Sequence, residues 1–178
     1  LVLHAVIRNC YATGNLSNFS GTGTNFGGFI GSASYGVDIS YCYATGDVYG
    51  IQGVGGLIGD LGNVCTAQSC YATGNVTADT ISAGGFAGIV NSGTVGSGTT
   101  VSNCYAWGNV IVPTVGGGFV GQATHARDDF INCYSIGSVT GSTFIGGFDG
   151  ESNVSTTFTA CFWDTQTSGW ETTGGSAI

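Results

Sequence analysis

Two short strings alternate along the chain at a nearly constant spacing. The first contains a cysteine and reads NCYATGN, YCYATGD, SCYATGN, NCYAWGN and NCYSIGS. The second reads GGFIG, GGLIG, GGFAG, GGFVG and GGFDG, and it begins at residues 27, 55, 84, 117 and 146. We call the cysteines of the first string, together with Cys161, which continues their spacing, the in-phase cysteines. Consecutive in-phase cysteines are 32, 28, 34, 29 and 28 residues apart. Two strings that keep phase over five copies indicate a tandem repeat of about 30 residues.

A unit of this length is too small to bury its own apolar face, so neighbouring units must stack. The intervals between glycines are rich in Val, Ile, Thr, Tyr and Phe, and this composition favours strands over helices. We predict an all-β fold, a right-handed parallel β-solenoid (β-helix) of about five to six coils of about 30 residues. The repeats are assigned to residues 1–160, beginning with an N-terminal strand at 1–8, and residues 161–178 are assigned to a C-terminal capping segment.

Strand alternation assigns the faces of each coil, because successive side chains point to opposite sides. Counting back in twos from Val48 places Cys42 on the inner face and Tyr43 on the outer face. The large residue after the paired glycines, such as Phe148, is placed in the core. The residue that follows it is placed on the outer face because one copy, Asp149, is a carboxylate. The outer-face residues predicted at this position are Ile30, Ile58, Ala87, Val120 and Asp149.

The cysteines allow two interpretations. In parallel coils, equivalent Cα atoms lie about 4.8 Å apart, which a disulfide can span, although parallel side-chain directions give poor bond geometry. The alternative is a buried stack of free thiols that act as small apolar side chains. Cys65 lies outside the repeat phase and is a candidate to close a loop with Cys70. The candidate residues are Cys10, Cys42, Cys65, Cys70, Cys104, Cys133 and Cys161.

An aromatic residue follows every in-phase cysteine and is predicted to face outward. This stripe consists of Tyr11, Tyr43, Tyr71, Tyr105, Tyr134 and Phe162. It either stiffens the sheet by stacking or offers a platform to sugar rings or to a neighbouring subunit. Four N-x-S/T sequons also mark candidate glycosylation sites. Their acceptor residues are Asn15, Asn18, Asn75 and Asn153.

Composition and motif content exclude several function classes. The chain has two Lys and Arg residues against ten Asp and Glu residues, a net charge of −8, so it cannot bind nucleic acid by neutralising phosphates. No apolar run is long enough to predict a membrane-spanning helix. The GxSxG and HExxH motifs are absent, there is no CxxC metal motif, and no pair of carboxylates is assigned to one face. We expect a protein that is not an enzyme and holds no cofactor or metal.

The two strings together resemble the GLUG repeat, which joins a GGLVG-type string to an NSYATGxV-type string. GGLIG at 55–59, followed by SCYATGNV at 69–76, is the closest copy, and CFWDTQTSG at 161–169 looks like the segment that closes such arrays. The resemblance extends from about Asn9 to Thr173. It implies an extracellular, cell-surface repeat scaffold with adhesive or structural roles, and it implies no catalytic residues. The alternative is a non-catalytic spacer within a larger secreted enzyme such as a peptidase.

The ends of an open solenoid are unpaired strand edges, which invite pairing with another chain. The N-terminal string LVLHAVIR is an apolar strand with no evident cap. We therefore expect self-association of identical subunits, with a carbohydrate or a host-surface or cell-surface ligand as a further candidate partner.

Overall fold

The strands follow one another in coils that repeat the same order. A computed structural model describes residues 4–18, 22–92, 98–124 and 127–172. The first coil contains β1 (Ala5–Arg8), β2 (Tyr11–Ala12), β3 (Leu16–Ser17), β4 (Phe26–Gly27) and β5 (Ile30–Ala33). The second contains β6 (Val37–Ser40), β7 (Tyr43–Ala44), β8 (Val48–Gly55) and β9 (Ile58–Gly62). The third contains β10 (Thr66–Gln68), β11 (Tyr71–Ala72), β12 (Val76–Gly84) and β13 (Ala87–Asn91).

The later coils keep this order. The fourth contains β14 (Thr100–Ser102), β15 (Tyr105–Ala106), β16 (Val110–Ile111), β17 (Val115–Gly117) and β18 (Val120–Ala123). The fifth contains β19 (Asp129–Ile131), β20 (Tyr134–Ser135), β21 (Val139–Thr140), β22 (Phe144–Gly146) and β23 (Asp149–Ser152). A last, partial coil contains β24 (Thr157–Thr159), β25 (Phe162–Trp163) and the short helix α1 (Thr165–Ser168). The described chain is therefore an all-β solenoid of about five turns.

Equivalent strands pair in parallel and form four sheets along the solenoid. Sheet A runs β1-β6-β10-β14-β19-β24, and sheet B runs β2-β7-β11-β15-β20-β25. Sheet C has eight strands, among them β8, β12, β16, β17, β21 and β22, and sheet D runs β5-β9-β13-β18-β23. The predicted parallel β-solenoid is confirmed. The predicted N-terminal strand corresponds to β1, and residues 1–3 lie outside the described residues.

The first string has the alternation that the sequence predicts. Cys42 and Val48 are fully buried, whereas Tyr43 is half-buried and Asp47 is exposed. The glycine of this string lies on the inner face at a point where adjacent backbones approach closely. A Cβ on Gly74 would overlap the carbonyl group of Gly46 in the preceding coil. The small inner residues are therefore required by the narrow interior of the solenoid.

One prediction about the second string is wrong. The large residue after the glycine pair is in the core, as expected, and Phe86, Phe119 and Phe148 are almost fully buried. The next residue is not on the outer face: Ile58, Ala87, Val120 and Asp149 are all fully buried, and Ile30 is half-buried. The reason is a bend between sheets C and D at the glycine and the large residue, which precedes β9, β13, β18 and β23. Alternation does not carry through this bend, so two consecutive side chains point inward.

Sheet A supplies an inner ladder that the repeat strings did not reveal. It consists of Ile7, Ile39, Ala67, Val101, Phe130 and Phe158, and all of them pack in or against the same apolar core as the in-phase cysteines. These residues lie three positions before each in-phase cysteine. Their identities vary from coil to coil, so no recurring string marked them.

Candidate functional site

The outward aromatic residues of sheet B form a continuous stack. Neighbouring ring centroids from Tyr11 to Phe162 are 5.1, 4.8, 4.8, 5.2 and 5.2 Å apart, and the interplanar angles are 7°, 1°, 2°, 12° and 2°. The parallel pairing of sheet B sets this spacing, because it places each ring directly above its equivalent in the previous coil. We call this stack the aromatic ladder.

Stacking determines what the aromatic ladder can contact. The faces of the four inner tyrosine rings are covered by their neighbours, so those residues present ring edges and hydroxyl groups to solvent. A sugar ring packs against an aromatic face, and such a face is not accessible along the middle of the ladder. Tyr11 and Phe162 each have a ladder neighbour on one side only, and they are 64% and 57% exposed. The accessible ring faces of the aromatic ladder therefore belong to its two end residues.

The in-phase cysteines form a second ladder on the inside of sheet B. Cys42, Cys70, Cys104 and Cys133 are buried, Cys161 is half-buried and Cys10 is exposed. The main-chain N–H of Cys42 donates to the Cys70 Sγ at 3.4 Å, and that of Cys70 donates to the Cys104 Sγ at 3.4 Å. Each thiol in turn donates to the carbonyl oxygen two residues earlier, as Cys104 does to Ser102 at 3.1 Å.

All seven cysteines, each within the described residues, are free thiols. Of the two interpretations, the structure contains the thiol stack and no disulfide. Cys65 is not joined to Cys70; its Sγ accepts the N–H of Val37 at 3.3 Å. Burial raises the pKa of Cys42 and Cys65 and raises the pKa of Cys104 well above its usual value, so these side chains are neutral thiols.

A polar ladder follows the outer edge of the turn between sheets B and C. In each of the first four coils, one side-chain oxygen accepts the main-chain N–H of the equivalent residue in the next coil. The acceptors Asn15, Asp47, Asn75 and Asn109 bond to the N–H groups of Asp47, Asn75, Asn109 and Ser138 at 2.9, 2.7, 3.1 and 3.0 Å. The sequence showed an Asn or Asp at this point of the repeat, but not its role in joining coils.

A left-handed backbone position precedes every in-phase cysteine. The φ angles of Asn9, Tyr41, Ser69, Asn103, Asn132 and Ala160 lie between 52° and 55°. This corner turns the chain from sheet A to sheet B. The repeat strings do not reveal this corner. Asn at three of the six positions is the signal that could have indicated it, because Asn adopts this conformation more readily than most residues.

The candidate glycosylation residues differ in how their side chains are used. Asn15 is exposed and bonds through its oxygen, whereas the Nδ2 of Asn75 donates to Asp47 at 3.1 Å. The Nδ2 of Asn153 donates to the Thr124 carbonyl at 3.1 Å, and that of Asn18 donates to the Thr22 carbonyl at 2.9 Å. Ser20, the third residue of the Asn18 sequon, lies outside the described residues. A sugar on Nδ2 therefore displaces a bond at three of the four sites.

The segment after β25 lies against the fifth coil. Thr167 Oγ1 donates to the Ile136 carbonyl at 2.6 Å, Trp170 Nε1 donates to the Val139 carbonyl at 2.8 Å, and the Gly147 N–H donates to the Thr172 carbonyl at 3.1 Å. The Trp170 bond reaches β21, an edge strand of sheet C, and the other two bonds reach the turns that flank this sheet. Of the segment predicted as a cap, residues 173–178 lie outside the described residues.

Among the described residues, no strand pairs with the outer edges of sheets A and B at either end of the solenoid. β1 and β24 are the two edge strands of sheet A, and β2 and β25 are those of sheet B. Apolar side chains are exposed there: Val6 is 54% exposed, in addition to Tyr11 and Phe162. Within residues 4–18, 22–92, 98–124 and 127–172, no three His, Cys, Asp or Glu side chains are grouped so that they could hold a metal, and no helix is long and apolar enough to cross a membrane.

Fold and site together define a parallel β-solenoid repeat protein whose coils are joined by aromatic, thiol and polar ladders. Residues 22–49 match the family model of the GLUG motif, which covers one unit from before GGFIG to the end of YCYATGDV. The chain therefore carries a GLUG motif, consistent with a GLUG-repeat protein. Neither the curated proteins nor the solved structures include a match to the chain.

Proposed function

We propose that the chain is an extracellular, non-enzymatic scaffold of the cell surface that assembles with identical subunits through its open solenoid ends. The observation that carries the proposal is that, within the part of the chain that the structure describes, the outer edges of sheets A and B pair with no strand, with Tyr11 at one end and Phe162 at the other. An exposed strand edge with apolar side chains favours pairing with another chain.

The use of the polar side chains supports a structural role. The outward Asn and Asp residues bind the next coil, Tyr49 donates to both carboxylate oxygens of Asp79 at 2.7 Å, and Gln122 donates to Glu151 at 2.7 Å. Each of these contacts joins adjacent coils. A chain that uses its polar groups in this way is suited to a rigid rod. The extracellular location is proposed from the GLUG resemblance alone.

Electron microscopy of the purified chain, with size-exclusion chromatography and light scattering over a range of concentrations, tests the proposal. We expect fibres or tubes whose length increases with protein concentration. Isolated short rods at every concentration would contradict self-assembly and favour the alternative, a non-catalytic spacer within a larger secreted enzyme.

A further inference from the structure

An exposed tryptophan stands beside the aromatic ladder in the fourth coil. Trp107 lies two residues after Tyr105 on the outer face of sheet B, and it is 51% exposed. In the first three coils the equivalent position holds Thr13, Thr45 and Thr73. We propose that Trp107 and the polar groups around it bind a neutral sugar ring, such as one residue of an uncharged polysaccharide. This inference goes beyond the proposed scaffold function and does not depend on self-assembly.

The indole ring of Trp107 is not part of the ring stack. Its centroid is 5.6 Å from that of Tyr105, and the two planes are inclined at 44°. The residues at the same position in the adjacent coils are Thr73 and Ile136, so within the described residues no ring stacks on either face of the indole. The inner tyrosines have both faces covered, whereas Trp107 keeps a ring face available to a ligand.

Hydrogen-bonding groups flank this indole. Asn109 is exposed and lies two residues after Trp107 on the same face; its Oδ1 accepts the Ser138 N–H at 3.0 Å. Its Nδ2 donates to no group of the described residues, and the same holds for the Nε1–H of Trp107 and the hydroxyl group of Tyr105. Free donors therefore surround an accessible aromatic face.

The surroundings of Trp107 are uncharged. Residues 98–124, which include the whole fourth coil, contain no Asp, Glu, Lys, Arg or His. The charged side chains that follow the strands of sheet B on this side are Asp47 and Asp164, each two coils from Trp107 in opposite directions, or about 10 Å along the solenoid. An ionic ligand would find no opposite charge here. A pyranose ring carries C–H groups on its faces and hydroxyl groups around its edge, so it matches an indole face flanked by donors.

Nuclear magnetic resonance of the unaltered chain tests the site, because each tryptophan gives its own indole N–H signal. Trp163 Nε1 donates to the Trp170 carbonyl at 2.9 Å, and Trp170 Nε1 donates to the Val139 carbonyl at 2.8 Å, so neither is free for a ligand. The probes are maltohexaose, laminarihexaose and mannohexaose, at protein concentrations low enough to exclude assembly. We expect at least one of them to shift the Trp107 signal saturably and to leave the other two signals unchanged.

Two matched substitutions locate the binding surface. Trp107→Thr installs the residue that Thr73 provides in the preceding coil, so the coil should be retained, and we expect the affinity to fall at least tenfold. Ile111→Thr is the control: Ile111 is 53% exposed on sheet C and pairs with Thr77 and Thr140 in the adjacent coils. We expect the control to bind like the unaltered chain. The main-chain amide signals of the fourth coil follow binding in all three proteins.

Charged hexamers of galacturonic acid and of glucosamine test the preference for a neutral ligand, and we expect both to bind more weakly than the best neutral hexamer. Asn109→Asp keeps the bond between coils, because Asp47 accepts the Asn75 N–H in the same way at 2.7 Å. The added carboxylate should raise the affinity for the glucosamine hexamer relative to the neutral one, since it lies beside the bound ring. A purely structural role of Asn109 would leave this ratio unchanged.

Three results would overturn the inference. They are the failure of all three neutral hexamers to bind at millimolar concentration, equal or tighter binding of a charged hexamer, and full binding by Trp107→Thr, which would place the sugar on another surface. Self-assembly is measured separately by electron microscopy, so a failure of the sugar site and a failure of the proposed assembly are distinguishable.

Discussion

The rings of Tyr43 and Tyr71 lie face to face, with centroids 4.8 Å apart and an interplanar angle of 1°. Their strands, β7 and β11, pair in parallel, so the strand spacing of the sheet and the stacking distance of the rings nearly coincide. Each inner tyrosine of the aromatic ladder therefore stabilises two coil contacts, and the end residues stabilise one within the chain.

This difference gives the first prediction. Tyr71→Ala removes two stacked pairs and Tyr11→Ala removes one. At about 0.5–1.5 kcal/mol for each pair, we expect the first substitution to lower the free energy of unfolding roughly twice as much as the second, beyond the loss of buried area. Urea denaturation followed by far-UV circular dichroism measures both, at protein concentrations low enough to exclude assembly. Equal losses would show that stacking does not stabilise the ladder.

The left-handed corner gives the second prediction. Ala160 has a φ of 52° and an exposed side chain, and Asn occupies the equivalent position in three other coils. Because a Cβ in this conformation costs about 1–2 kcal/mol and Asn tolerates it better than Ala, we expect Ala160→Asn to raise the melting temperature. Asn9→Ala makes the reverse change in the first coil and should lower it. No change in either variant would show that the corner is not strained.

The inner face of sheet B could be predicted from the sequence, because Cys42 and its equivalents recur in identical surroundings and strand alternation holds between the turns. The placement of Asp149 could not, because the bend after the paired glycines turns two successive side chains inward, and a single carboxylate suggested the opposite face. The left-handed corner before each in-phase cysteine could not be predicted, for a different reason. The backbone conformation is common to all six positions, but Tyr41, Ser69 and Ala160 adopt it as well as three asparagines, so residue identity does not mark it.

Part of the structure at the ends of the solenoid could also be predicted from the sequence. LVLHAVIR is predicted as an N-terminal strand, and its residues Ala5–Arg8 form β1. The contacts of Thr167 and Trp170 with the fifth coil depend on hydrogen bonds to residues 31 positions earlier in the chain. No local pattern encodes such pairings.

The pKa of Asp60 gives the third prediction. Burial raises the pKa of this carboxyl group above its usual value of 3.8, and a hydrogen bond from Ser32 partly opposes the increase. Since the folded state then binds the proton more tightly than the unfolded state, stability falls as the pH rises from 3.8 through the folded-state pKa. We expect Asp60→Asn to raise the melting temperature at pH 7 and to have little effect below pH 3.8. Melting curves across this pH range measure the difference, and a variant less stable than the unaltered chain at pH 7 would contradict it.

The thiol ladder gives the fourth prediction. Cys10 is exposed, Cys161 is half-buried, and the other five cysteines are buried as free thiols. At protein concentrations low enough to exclude assembly, alkylation of the native chain should therefore label Cys10 first and Cys161 more slowly. The five buried positions should stay unmodified until the chain unfolds, because access and not thiolate formation limits the reaction. Intact-mass and peptide mass spectrometry without added reductant follow the order, and unfolding should bring the total to seven. A total below seven after unfolding would show that disulfides form between coils. Cys10→Ser removes only the exposed thiol, so this variant should lose the fast labelling phase and keep the slower labelling phases unchanged.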